Sequence, residues 1–203
     1  MTWYDPTQGP HVPLDDAEAI RRANESLSHS ASIIHVGPNA PTSAVGSAAK
    51  NVPDWKRWFD TVNKLDKIWS PTHSKWITLT PLMTRDDGAG TRALTSFGDL
   101  TAASVGPART IDTGTTAYVD IGAQMTNDTP GEICLASFAV SGATTAAAAD
   151  AISILVVDIG ALGRRFLVTG LTAGSNTFTM KYRVTAGTGT FERRNICVTP
   201  IAT

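Results

Sequence analysis

"GLTAGSNTFTMKYRVTAGTGT", residues 170–190, holds the alternation that decides the fold. At its centre Phe178, Met180, Tyr182 and Val184 fall on one side of an extended chain, and Thr177, Thr179, Lys181 and Arg183 fall on the other, because successive side chains of a strand point to opposite faces. One face meets a core and the other meets water. Gly170, Gly174 and Asn176 are residue types that accept positive φ and can turn the chain sharply into this strand, and "AGTGT" (186–190) serves the turn that leaves it.

The same grammar extends in both directions. Strand-like runs recur around 109–112, 116–125, 131–141, 151–159, 164–169, 176–185 and 189–199, separated by clusters of Gly, Thr, Asn or Ala. That spacing suits an antiparallel β-sandwich better than a parallel sheet with crossover helices, and a jelly roll is the form expected. "AISILVVDIGALGRRFLVTG" (151–170) is apolar at both parities, as a strand covered on both faces would be. A neighbouring subunit or the N-terminal helices could supply the second cover. "KWITLTPLM" (75–83) is strand-like, and 84–108 reads as a long irregular connection.

The first third differs. Pro6, Pro10 and Pro13 restrict "WYDPTQGPHVP" (3–13), which predicts an extended arm over 1–14. Asp15, Glu18 and the apolar positions Ile20, Ala23 and Leu27 predict a first helix. A linker poor in bulky side chains covers 37–50, and a second helix is expected over 51–69, with Trp55, Trp58, Phe59, Val62, Leu65 and Trp69 at helical spacing behind Pro53. The expected organisation is an arm (1–14), a helical anchoring region (15–70) and a sandwich domain (71–203): mainly β, preceded by an extended arm and two helices. Trp3, Tyr4, Trp55, Trp58, Phe59 and Trp69 are the candidate partner-binding residues, with packing onto the chain's own core as the other reading.

Composition narrows the function. Seventeen Lys and Arg balance eighteen Asp and Glu, a formal net charge of -1, so the chain lacks the basic footprint that nucleic acid or an anionic membrane surface demands. The expectation is no nucleic acid and no membrane. No signal-like start and no run of about 18 apolar residues stands in the sequence. Cys134 and Cys197 lie in apolar strand-like runs, where buried free thiols are the commoner outcome in a reducing compartment.

Reactive motifs are sparse. His11, His29, His35 and His73 show no metal-ligand spacing, and 93–203 contain no histidine, the commonest general base. "DDGAGT" (86–91) has neither the lysine of a P-loop nor the repeated oxygen ligands of an EF-hand, and "VGSAAKN" (45–51) has half of a Walker motif with no strand leading into it. There is no Gly-x-Ser-x-Gly elbow. The expectation is therefore no enzyme, no catalytic residues, no metal and no cofactor.

"FLVTGLTAGSNTFTMKYRVTAGTGTFERRNICVTPI" (166–201) resembles segments that close the jelly-roll domains of head-decorating or tail-associated virion proteins of tailed bacteriophages, notably those of actinobacteria. The likeness covers roughly residues 100–203 and rests on turn and strand chemistry. It implies a structural virion protein assembled in the host cytoplasm, a homotrimer, and contact with major capsid or tail proteins. Similar strands occur in carbohydrate-binding jelly rolls, so a module binding host-surface glycans is the alternative. Tyr118 and Tyr182 are the only Trp or Tyr residues after Trp76, and that scarcity counts against a dedicated glycan site.

Overall fold

The computed structural model describes residues 34–37, 39, 57–101 and 106–201. The chain divides between Ile34 and His35 into two units, and all described residues but Ile34 belong to the second. The arm (1–14), the first helix and the linker, apart from Gly37 and Asn39, lie outside the described residues.

Within the second unit the 170–190 alternation becomes β12 (Gly174–Val184), flanked by β11 (Ile159–Thr169) and β13 (Gly189–Ile201). Upstream stand β7 (Ala108–Thr113), β8 (Thr116–Asn127), β9 (Ile133–Gly142) and β10 (Ile154–Val157). The strands form two antiparallel sheets. One runs β10-β9-β12-β7, and the other runs β11-β8-β13-β5, with β5 (Leu82–Asp86) and β6 (Gly90–Arg92) both paired to β13. β5 and β6 occupy part of the stretch expected to be irregular.

The inner faces interdigitate as the alternation requires. Phe178, Met180, Tyr182 and Val184 from one sheet meet Val119, Ile121, Met125, Phe191, Ile196 and Val198 from the other, all of them buried. Phe138 packs between Phe166 and Phe178 at ring separations of 6.1 and 6.2 Å, and Tyr182 lies 4.9 Å from Phe191. Burying each such side chain contributes about 1.5–3 kcal/mol. Asn176 does not serve as a positive-φ turn residue. Its buried amide donates to Thr113 Oγ1 (2.8 Å) and the Thr172 carbonyl (2.9 Å) and accepts from the Thr144 N–H, tying the end of β7 to two loops.

The second helix is overturned over its described part. Residues 57–70 form a β-hairpin, β2 (Arg57–Asp60) and β3 (Leu65–Ser70), continued by β4 (Lys75–Thr78) in a sheet ordered β1-β2-β3-β4 with β1 (Ile34–Gly37). No α-helix stands among the described residues. The reason lies in the turn. Asp60 accepts the Val62 and Asn63 N–H groups at 3.0 Å and the Asn63 side chain at 2.8 Å, and Lys64 takes φ +57°. This is the local side-chain chemistry by which Asp and Asn reverse a chain. Aromatic residues then suit the strands that flank it. Trp58 and Trp69 converge edge-on against Trp76 at 5.7 and 5.4 Å. The helical spacing of these aromatics arose because a four-residue reversal separates two strands.

A salt bridge ties this sheet to the sandwich. Lys67, its stem buried and its Nζ 5.1 Å from the Trp58 ring centre, reaches Asp112 on β7 at 2.8 Å.

Candidate functional site

β8 and β13 lie side by side, and their outward-facing residues form one surface with β11. Asp120, Gly122 and Gln124 on β8 stand opposite Arg165, Gly163 and Ala161 on β11. On its other side Gly122 pairs with Asn195 of β13. Two glycines abreast remove side chains from the middle of the sheet, a pattern that marks close approach by a ligand or another backbone. A depression of about 550 Å³ results, open to solvent.

Its rim is polar. Arg165 donates to both carboxylate oxygens of Asp120, at 2.8 and 3.1 Å, and its guanidinium sits 5.4 Å from the Tyr118 ring centre. The Asn195 amide leans over Gly122, where an added Cβ would come within 2.8 Å of its nitrogen. β13 breaks register between Glu192 and Asn195, and Arg193 within that bulge takes φ +49°. A bulge of this kind re-aims side chains. Arg193 turns to solvent at the depression while Arg194 turns inward, wholly buried, bonding Asp86 at 2.5 Å and the Gly88 carbonyl at 3.1 Å.

The titratable groups nearby suit binding more than reaction. Burial, and then the Asp120 charge, pushes the Cys197 thiol up, away from the thiolate a nucleophile needs. Cys134 is raised by burial in the core. The two thiols are unbonded. Tyr182 is raised far above its usual range by burial and has no access to solvent. Among the described residues no group of three or more His, Cys, Asp or Glu could hold a metal ion, and no helix is long and apolar enough to cross a membrane.

Of the aromatic residues singled out in the sequence, Trp3, Tyr4 and Trp55 lie outside the described residues. Trp58 is buried, Trp69 is half-buried against Trp76, and Phe59 is exposed on β2. The structure joins Trp58 and Trp69 into one cluster with Trp76, and Phe59 points away from it. Sequence reading missed the depression because its signals are small: two glycines in separate strands and the doublet Arg193-Arg194, whose opposite orientations need the bulge.

The doubly apolar stretch 151–170 resolves into β10 and β11, which reverse at Asp158 (φ +59°) and lie at the same edge of the two sheets. Ile154 and Phe166 face inward, whereas Leu155, Val157, Ile159, Leu162 and Leu167 are each 45% or more exposed. An edge strand also leaves one row of backbone groups unpaired.

No family model matches the chain, and no curated protein matches it. Solved structures align with the chain at low similarity. The VP2 subviral particle of infectious bursal disease virus aligns at 11% identity and TM-score 0.43, over 63% of this chain and 35% of that one. The CBM22-1 xylan-binding domain from Paenibacillus barcinonensis aligns at 13% identity and TM-score 0.32, over 59% and 87%. The enzymatically active domain of tailspike protein 4 of bacteriophage CBA120 aligns at 18% identity and TM-score 0.30, over 58% and 19%. The chain thus spans about a third of the VP2 chain.

Proposed function

We propose that this chain is a structural virion protein of a tailed bacteriophage, head-decorating or tail-associated, built around a jelly roll that assembles with copies of itself. The strand order β10-β9-β12-β7 in one sheet and β11-β8-β13-β5 in the other supports the jelly-roll reading. The observation that carries the reading is the apolar edge of β10 and β11, where five large aliphatic side chains stand exposed beside a strand edge. Exposed apolar surface of this kind marks association. Copies packed edge to edge would bury it at about 25 cal/mol per Å² before association costs.

Light scattering on the eluted full chain tests the reading: a trimer of about 64 kDa is expected, three times 21.4 kDa. Leu162→Lys with Leu167→Lys should give a folded monomer. A wild-type monomer at micromolar concentration defeats the assembly claim. Attachment to capsid or tail is assigned to the N-terminal region, so deletion of 1–14 should leave the sandwich folded and abolish incorporation into particles.

A second reading, a module that binds host-surface glycan, is favoured by the polar depression over Gly122 and Gly163 and by Tyr118, partly exposed on the same face.

A further inference from the structure

The depression contains more hydrogen-bonding capacity than the fold uses. The side chains of Arg193, Gln124 and Asn195 make no hydrogen bond or ion pair among the described residues, although all three residues line the same space. Asp120 is already neutralised by the bidentate grip of Arg165. Arg164 and Arg193 both line the depression without an ion pair among the described residues; the Arg164 guanidinium lies 5.0 Å from the Phe166 ring centre, which leaves Arg193 as the lining cation with no side-chain partner. It is also held in a left-handed backbone conformation that side chains other than glycine rarely adopt. Strain retained at a concave site is a pointer to use.

The floor is equally specific. At Gly163 an added Cβ would meet nothing closer than the Ile121 carbonyl oxygen at 3.4 Å, so packing does not demand glycine there. The space is open for a ligand rather than filled by the protein. Two amides offer paired donors and acceptors of the kind that match vicinal hydroxyls, and a planar guanidinium matches a carboxylate at two oxygens.

We infer that the depression over Gly122 and Gly163 binds a sugar bearing a carboxylate, a uronic-acid residue of an acidic polysaccharide. Arg193 takes the carboxylate, Gln124 and Asn195 take ring hydroxyls, and the Arg165–Asp120 pair borders the ring. A volume of about 550 Å³ accommodates one or two sugar units. This assignment rests on the glycan reading.

Calorimetric titration of the full chain with tetragalacturonate, a neutral galactose tetrasaccharide and inorganic phosphate tests it. Tetragalacturonate should bind, added salt should weaken it, and the other two should not compete. Arg193→Ala should weaken binding about ten- to a hundredfold, the worth of a charge-assisted hydrogen-bond pair. Arg193→Gly suits the left-handed backbone, stays folded and should lose affinity equally; Gln124→Ala, on an ordinary strand position, should lose less. Equal affinity for the neutral sugar, competition by phosphate, or indifference to Arg193 overturns the inference while leaving a glycan module standing. No affinity for any member of a broad glycan panel overturns both.

Discussion

Arg194 is buried completely beneath β13, and its charge partner, Asp86 on β5, stands at 2.5 Å with its own side chain 25% exposed. The two residues are 108 positions apart in sequence, and their contact locks the sheet edge formed by β5 onto the last strand. Removing the carboxylate strands a guanidinium whose Nε and Nη1 already lack partners.

Asp86→Ala should therefore cost about 3–5 kcal/mol, the usual penalty for an orphaned buried charge. Asp120→Ala breaks a pair whose arginine is 62% exposed, and should cost no more than about 1 kcal/mol. Urea unfolding of the two variants separates them; equal losses would mean that burial of Arg194 carries no energetic weight.

Replacing Arg193 by glycine should raise stability. A side chain at φ +49° costs about 1–2 kcal/mol, part of which glycine returns through its looser unfolded chain. A net gain of about 0.5–1 kcal/mol is expected in the denaturation midpoint, and a loss would mean that the bulge is held by contacts of the arginine itself.

Acid should loosen two turns, at Asp60 and at Asp128. Asp60 is held below its ordinary value of 3.8 by the Asn63 side chain first and by backbone N–H groups next, and Asp128 is lowered by the Thr188 N–H and the Thr129 hydroxyl. A carboxylate lowered by folding stabilises the native state fully above its unfolded value and loses that contribution as pH falls through its folded value. Stability should thus hold to about pH 4 and drop below it. Asp60→Asn with Asp128→Asn should start less stable at neutral pH and flatten the acid limb of a midpoint-against-pH curve.

Much of this architecture was legible. The alternation in 176–184 placed four core residues correctly because each side chain's direction follows from the strand alone. The hairpin at 57–70 was not legible, because Trp58, Leu65 and Trp69 satisfy a helical period by accident and the deciding group is one carboxylate, Asp60, turned onto its own backbone. β5 and β6 escaped notice for another reason: they are short, and their place depends on β13, about a hundred residues downstream. The candidate site was hidden likewise, since Gly122, Gly163 and Asn195 become neighbours only through strand register.

Glycines in the same sheet should respond oppositely to an added methyl. At Gly189 a Cβ would stand 2.7–2.8 Å from Val184, Cys134 and Phe191, so Gly189→Ala overpacks the core and should cost about 1–3 kcal/mol. Gly163→Ala should change stability by no more than about 0.5 kcal/mol. Thermal melts of both read the contrast.

Cys134 faces the core and Cys197 the outer surface, and no cross-link joins them. The described sandwich consequently owes nothing to an oxidant for its assembly or its upkeep. Its unfolding midpoint should be the same with and without dithiothreitol, so the same shape survives a passage between reducing and oxidising surroundings.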